Sequence, residues 1–230
     1  QNARVLCVII LTYFCSVKEP KRYDDIAMPK ILKRNADPCT VVGCKWFKSG
    51  EHVYIPYYID SNYCKPHVNK SKILTAEVKM TTPSTETLRS FKDFSNAVKQ
   101  CWSYIGRQGG GQFISLEKNK CLRTSTVSHE VLHALGFNHE QVRTDRDEYI
   151  RVFFQNIKPG WFNFWKVRTN NMGSPYDYNS VMHYKKYAFS KNGQPTIAAR
   201  SRQIHNFGNT YGMSNTDIDR VNKLYDCRKN

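Results

Sequence analysis

The sequence lacks an apolar run long enough to cross a membrane. Its longest run, within ARVLCVIILTYFCSV, has about ten apolar residues, whereas a spanning helix needs about 20. A single basic residue, Arg4, precedes this run, which is typical of a signal-peptide core; a buried strand rich in Val and Ile is the alternative. We therefore expect residues 1–16 to be a signal-peptide-like remnant, and the protein to be secreted and extracellular, with no membrane partner.

Acidic residues are scarce, because 19 Asp and Glu stand against 35 Lys and Arg, for a formal net charge of +16. Such an excess favours binding to acidic surfaces, whether nucleic acid, anionic matrix or acidic protein. The chain has no basic helix, no aromatic RNA-binding strand and no zinc-finger spacing, so we expect no nucleic-acid partner. An alternative function is binding to an anionic surface as a basic module. Such binding would be sensitive to salt and would not need a metal.

Eight cysteines suit a secreted chain of 230 residues that forms one globular domain. If Cys7 and Cys15 leave with the signal segment, an even set remains, which allows fifteen pairings. The six are at positions 39, 44, 64, 101, 121 and 227. A bridge between Cys101 and Cys121 would join the outer ends of a predicted hairpin.

The remaining pattern predicts a pro-segment followed by mixed strands and helices. Residues 17–34 are basic and contain proline without an amphipathic period, and the pair Lys33-Arg34 suits a trypsin-like activating protease that would leave Asn35 as the new N-terminus. Strand-like sequence is found in EHVYIPYYID, and a glycine-rich loop within CWSYIGRQGGGQFISLEKNKC predicts the hairpin. A helix is expected at Ser125 to Leu135, and a closing helix with Ser214 as N-cap and Asp217 three residues later.

One motif in the sequence contains residues that can bind a metal ion and transfer a proton. His129 and His133 are four residues apart, so both imidazoles project from one face of the helix and can share a metal, while Glu130 reaches the adjacent space. Gly136 can end the helix in a left-handed turn, and His139 then supplies a third nitrogen. The resulting HExxHxxGxxH pattern arises by chance in roughly one such chain in ten thousand and is the metzincin signature. Three neutral imidazoles with an open position favour a catalytic zinc site over surface histidines.

Two stretches, HEVLHALGFNHEQVRTDRD at 129–147 and TNNMGSPYDYNSVMHY at 169–184, resemble the astacin family of zinc metalloendopeptidases. The resemblance implies an α+β fold with a twisted N-terminal sheet, two helices, an irregular C-terminal half and a closing helix. It implies one Zn²⁺ per chain, with Met182 as its hydrophobic floor and Tyr184 as a fifth, displaceable ligand. Without it, Met182 would be interpreted as a core methionine and Tyr184 as a surface aromatic.

Within the family, RNADPCTVVGCKW at 34–46 is similar to the six-cysteine hatching-enzyme (choriolysin) and nephrosin group. The resemblance implies bridges Cys39–Cys44 and Cys64–Cys227, and a catalytic domain at 35–230. Residues 64–100 do not follow the family pattern. A catalytically silent zinc-binding relative that acts as a binding protein therefore remains a second alternative.

The family resemblance also implies how the chain is kept latent and then activated. Asp25 in YDDI is similar to the aspartate with which the family's proenzymes block zinc, although Asp24 stands where the family has glycine. Cleavage after Arg34 would free the amino group of Asn35, which would fold towards Glu140; a solvated carboxylate is the alternative for Glu140. We expect a monomer that hydrolyses protein or peptide substrates, acidic ones included, with Glu130 as the general base.

Overall fold

A computed structural model of the chain describes residues 8–9, 22–27, 44–49, 52–55, 100–108, 112–117 and 120–227. The described residues form nine short strands: β1 Val8–Ile9, β2 Arg22–Tyr23, β3 Ile26–Ala27, β4 Lys48–Ser49, β5 His52–Tyr54, β6 Trp102–Tyr104, β7 Ile114–Ser115, β8 Ile150–Val152 and β9 Ile197–Ala199. They also form helices α1 Thr124–Ala134 and α2 Asn215–Leu224, with 3-10 turns at Glu140–Val142, Arg146–Glu148, Phe154–Asn156 and Trp161–Phe164. Most of the predicted signal and pro-segments lie outside these residues, so the domain boundaries stay predictions.

The strands form three small sheets in the orders β1-β5-β4, β2-β3-β6-β7 and β8-β9. The predicted glycine-loop hairpin is confirmed, because β6 pairs antiparallel with β7 and places Trp102 opposite Ser115. On its other side β6 pairs in parallel with β3, with Ile26 opposite Ser103. This pairing adds two strands of the predicted pro-segment, β3 and its partner β2, to the β6-β7 hairpin.

Helix α1 is found within one residue of its predicted bounds and ends as predicted at Gly136, whose φ is 108°. The N–H of Gly136 donates to the carbonyl of His133 at 2.8 Å, and that of Phe137 donates to the carbonyl of Leu132 at 2.9 Å. These two bonds define a Schellman motif, which glycine accommodates without a Cβ penalty. The chain therefore turns back immediately after His133.

Helix α2 begins at the predicted cap. The Ser214 hydroxyl accepts from the backbone of Asp217, and the Asp217 carboxylate accepts from the backbone of Ser214, which completes a capping box.

Within the described residues no helix has both the length and the apolar character needed to cross a bilayer.

The described residues form two larger apolar cores and a smaller third one around Trp102. The first packs α1 and α2 against the sheets and includes Val53, Ile55, Ile114, Val131, Leu132, Leu135, Met182, Val221 and Leu224. The second fills the C-terminal half around β8 and β9 and includes Ile150, Ile157, Phe164, Tyr176, Tyr184, Ile197 and Phe207. Between α1 and α2 the chain is mostly turns, so the predicted α+β fold with an irregular C-terminal half is confirmed.

Candidate metal centre

The structure brings the three motif histidines together. His129 and His133 lie one turn apart on α1, and the turn at Gly136 returns His139 to the same space. The ring centroids are 4.7 Å apart for His129 and His133, 4.8 Å for His133 and His139, and 5.2 Å for His129 and His139. The rings therefore form a nearly equilateral triangle around one point.

Main-chain carbonyls orient two of these rings. The Nδ1–H of His129 donates to Val181 O at 2.8 Å, and that of His133 donates to Phe137 O at 2.8 Å. Because a carbonyl can only accept, Nδ1 of each ring carries a proton, and Nε2 is the atom that faces the other members of the cluster. Burial lowers the pKa of His133 to about 4, which keeps that ring neutral. In His129 burial would lower the pKa, but the hydrogen bond and the negative charge of Asp25 raise that pKa to about 9, so this ring holds a second proton while Asp25 faces it. The main chain thus fixes the orientation of both rings.

Asp25 completes the cluster. Its carboxylate oxygens lie 3.0 Å from His129 Nε2, 3.1 Å from His139 Nε2 and 3.6 Å from His133 Nε2. Burial would raise the pKa of Asp25, but the histidines outweigh it and hold that pKa well below its ordinary value. The backbone of Asp25 is fixed to β6, because its carbonyl accepts from the N–H of Ser103 at 2.8 Å.

The donor set fits zinc. One ligand atom from each of Asp25, His129, His133 and His139 lies within 4.8 Å of the others. Within the described part of the chain, His133 Nε2 and Asp25 Oδ1 are buried without a hydrogen-bond partner, as atoms aimed at a metal would be. Three imidazole nitrogens and one carboxylate oxygen match the tetrahedral coordination that Zn²⁺ prefers.

Glu130 is buried next to this cluster, with 1% of its surface exposed. Its Oε2 has no hydrogen-bond partner among the described residues. Burial, and then the negative charge of Asp25, raise the pKa of Glu130 to about 9. While Asp25 faces the histidines, Glu130 therefore readily holds a proton, and it does not belong to the donor set.

Tyr184 lies next to His139 at the edge of the cluster. Its ring centroid lies 4.6 Å from that of His139, and its hydroxyl donates to the carboxylate of Asp24. The alternative of a surface aromatic is wrong, because 9% of Tyr184 is exposed. Met182 is buried in the first core with α1, and its carbonyl accepts from the N–H of Glu140 at 3.0 Å.

Comparison with known proteins identifies the family. A family model described as Astacin, a peptidase family, matches residues 45–226. The chain belongs to the astacin family.

Relatives within the astacin family include a hatching enzyme. High choriolytic enzyme 2 of Oryzias latipes is 41% identical over 215 residues, covering 89% of this chain and 75% of the relative. Zinc metalloproteinase nas-14 of Caenorhabditis elegans is 47% identical over 136 residues, which are 57% of this chain and 27% of that protein. The solved structure of high choriolytic enzyme 1, a hatching enzyme zinc-protease of medaka, aligns with a TM-score of 0.70 at 36% identity, covering 84% of this chain and 100% of that one. The protein is therefore a zinc metalloendopeptidase that acts on proteins or peptides.

A buried ion-pair network surrounds Glu140 in this astacin-family chain, so the alternative of a solvated carboxylate is wrong. Arg220 donates two bonds to Glu140, at 2.7 and 2.9 Å, and Arg143 donates one at 3.1 Å. The N–H of Asp177 adds a fourth at 2.8 Å. Asn35 lies outside the described residues, so its approach to Glu140 stays a prediction. The sequence analysis gave neither arginine a role, although Arg143 lies within the astacin-like stretch at 129–147.

The turn that carries Met182 and Tyr184 is held by residues whose role the sequence did not reveal. Asp217 accepts from the Ser180 hydroxyl at 2.6 Å and from the Val181 N–H at 2.9 Å, in addition to capping α2. At Gly208, a Cβ atom would lie 2.5 Å from the carbonyl oxygen of Tyr184. A glycine at position 208 is thus required for the close approach of these two backbones.

The disulfide predictions are confirmed in part. Cys101 and Cys121 form the predicted bridge across the ends of the hairpin. Cys44 and Cys227 are also disulfide-bonded, but their predicted partners, Cys39 and Cys64, lie outside the described residues. Of the divergent segment 64–100, the structure describes only residue 100.

Proposed function

We propose that the protein is a secreted endopeptidase, made as a latent precursor, which hydrolyses proteins of an egg envelope or extracellular matrix. The observation that carries this proposal is the triangle of imidazole nitrogens with the buried carboxyl of Glu130 beside it. The names of the choriolytic and hatching-enzyme relatives support an envelope substrate. The signal-like residues 1–16 and the cysteine content support secretion.

Each residue of the site would have a separate role in catalysis. His129, His133 and His139 would hold one zinc ion, which supplies Lewis-acid polarisation of the scissile carbonyl and a water of lowered pKa. Glu130 is placed to accept a proton from the attacking water and to deliver it to the leaving amine. The Tyr184 hydroxyl, once released from Asp24, would donate a hydrogen bond to the oxyanion that forms at the carbonyl. Met182 would support the histidines from the apolar side.

The segment at 22–27 would keep this site latent. Asp25 faces all three histidines and takes the position that a water needs. Asp24 accepts the hydroxyl of Tyr184 and so holds the oxyanion donor away from the substrate. Asp24 has φ 59°, a left-handed conformation that aspartate tolerates at moderate cost. We infer that activation cleavage after Arg34 removes both contacts together, through a trypsin-like protease.

Latency can be tested in a chain with Lys33→Gln and Arg34→Gln, which blocks the activating cleavage. In that background Asp25→Ala is expected to raise casein hydrolysis by about 10- to 100-fold. The variant loses the charge-assisted hydrogen bonds between Asp25 and the histidines, and a loss of about 1.5–3 kcal/mol corresponds to this ratio. Asp24→Gly, which also relaxes the backbone, is expected to give a smaller rise. The exposed Glu148→Ala serves as the control. Equal hydrolysis by the background chain and Asp25→Ala would remove Asp25 from the latency mechanism.

The proteolytic function is tested with the full chain, refolded with oxidised cysteines and activated by limited trypsin treatment. We expect casein hydrolysis that a zinc chelator abolishes and that added Zn²⁺ restores. Trypsin is inhibited before the assay, so that the remaining cleavage belongs to this chain. A folded, zinc-loaded protein without hydrolysis would instead support the catalytically silent relative, which the divergent segment 64–100 favours.

A further inference from the structure

His183 is a buried imidazole that the proposed catalysis does not use. It lies between Met182 and Tyr184, is 5% exposed, and does not belong to the donor set of the metal centre. Both of its ring nitrogens have partners, because Nδ1 lies 2.7 Å from Tyr184 O and Nε2 lies 2.8 Å from the hydroxyl of Tyr176. A buried ring with two short hydrogen bonds constrains the groups that it binds.

The imidazole of His183 ties one main-chain carbonyl to the second core. Because a carbonyl can only accept, Nδ1 carries a proton and donates it to Tyr184 O. Burial lowers the pKa of His183 to about 4, which keeps the ring neutral, so Nε2 accepts from the hydroxyl of Tyr176. The ring of Tyr176 is itself held, since it stacks on Tyr149 at 4.8 Å and the Arg143 guanidinium lies 5.4 Å from its centroid.

The backbone of Tyr184 is also held from two other directions. Its N–H donates to Oε1 of Gln141 at 3.1 Å, and 0% of Gln141 is exposed. The backbone of Gly208 lies so close that a Cβ atom there would be 2.6 Å from the carbonyl carbon of Tyr184 and 2.8 Å from His183 O. Since the N–H and the C=O of Tyr184 are both bonded, its Cα atom is fixed between them.

The side chain of Tyr184 can move where its backbone cannot. Its hydroxyl donates to the carboxylate of Asp24, a contact that the proposed activation removes, and its ring packs against His139 and Phe189. A swing from the latent position to the oxyanion would therefore occur by rotation about side-chain bonds from a fixed Cα. The position of that Cα decides where the hydroxyl arrives, and a misplacement of about 1 Å can cost about 10²-fold in rate.

We propose that His183 is a positioning residue for catalysis, which holds the main-chain carbonyl of Tyr184 so that the released hydroxyl arrives at the oxyanion. His183 acts through Tyr184, and the property that matters is the donor at Nδ1. A different side chain that keeps this donor should therefore keep the rate. The inference rests on the proposed function, in which Tyr184 donates to the oxyanion, and adds the residue that orients it.

The test uses substitutions in the full chain, activated with trypsin as above. His183→Leu removes both bonds of the imidazole. His183→Asn keeps a donor for the carbonyl of Tyr184, because its amide nitrogen is separated from Cβ by the same number of bonds as Nδ1. Tyr176→Phe removes only the hydroxyl that orients the ring, and it carries the test if His183→Leu does not fold. The control, Tyr178→Phe, removes a hydroxyl of the same core that donates to Tyr149 O instead.

Four measurements separate positioning from stability. They are kcat and KM for a fluorogenic peptide, the zinc content, the urea midpoint of unfolding, and the affinity for a phosphinic peptide. The phosphinyl oxygen of that inhibitor stands where the oxyanion forms, so its affinity reports contacts that are made in the transition state.

His183→Leu is expected to lower kcat by about 5- to 30-fold at unchanged KM, and to weaken phosphinic-peptide binding by a similar factor, because the oxyanion donor is displaced rather than removed. His183→Asn should recover most of the rate. Tyr176→Phe is expected to lower kcat by about two- to fivefold, and Tyr178→Phe should leave it unchanged. In a Tyr184→Phe background His183→Leu should lower kcat no further, since the hydroxyl that it would misplace is already absent.

A further loss of kcat in the Tyr184→Phe background would show that His183 does not act through that hydroxyl, and would overturn the proposal. An equal fall in Tyr178→Phe, or a fall that follows the loss of zinc or of folding stability, would assign His183 to the core alone and also overturn it. If the wild-type chain hydrolyses neither casein nor the peptide, the proposed function fails and this inference with it. Hydrolysis that His183→Leu and Tyr176→Phe leave unchanged would overturn the inference alone.

Discussion

Glu130→Gln is expected to lower kcat by about 10²- to 10⁴-fold, the usual contribution of a general base, while zinc binding persists. Glutamine has the same shape, so the buried site beside His129 stays filled, but it cannot accept the water proton. Glu130 lies outside the donor set of three histidines and Asp25, so the metal keeps its ligands. Turnover of casein and of a fluorogenic peptide, together with the zinc content of the folded chain, measure the two parts of this prediction.

Two further variants serve as references for the turnover of Glu130→Gln. Glu148→Gln changes an exposed carboxylate on a 3-10 turn and is expected to leave turnover unchanged. Tyr184→Phe removes a single oxyanion donor and is expected to lower kcat by about 10²-fold. Undiminished turnover of Glu130→Gln with bound zinc would end its assignment as the base. Loss of zinc from that variant would instead show that the carboxylate helps to hold the metal.

Local sequence signals predicted the elements that carry the histidines. The spacing of His129 and His133 follows from the helical period, and Gly136 ends α1 because the turn needs a left-handed residue. Likewise, Ser214 and Asp217 form the capping box that begins α2. Each of these signals acts within a few residues of the chain, which is why a single sequence is enough to reveal it.

Contacts between distant segments could not be predicted in this way. The bond from Tyr184 to Asp24 joins positions 160 residues apart, and Glu140 and Arg220 are 80 residues apart. The irregular C-terminal half has no periodicity from which such pairings could be derived. The position of Asp25 was expected only from the family resemblance, and it depends on the parallel pairing of β3 with β6. Its neighbour Asp24 departs from the family pattern, so its contact with Tyr184 emerged only from the structure.

Glu140→Ala is expected to lower the free energy of unfolding by about 3–5 kcal/mol, as for other buried pairs that lose one partner. Glu140 is 3% exposed and is the only carboxylate that pairs with Arg220 among the described residues. Arg143 would keep Asp145, at 2.7 Å, whereas Arg220 would keep only the neutral oxygens of Ser174 and Pro175. Urea unfolding with the disulfides intact measures the change through the midpoint at constant slope.

A double-mutant cycle separates the Glu140–Arg220 pair from the rest of the network. Arg220→Met removes the stranded cation while keeping apolar volume, so adding it to Glu140→Ala should recover part of the stability, with a coupling of about 1 kcal/mol or more. Additive effects would mean that Arg220 is stabilised by Ser174 and Pro175 instead. Because Glu140 directly follows His139, the same loss should also weaken zinc retention. A variant that loses stability but holds zinc as well as the wild type would uncouple the network from the metal centre.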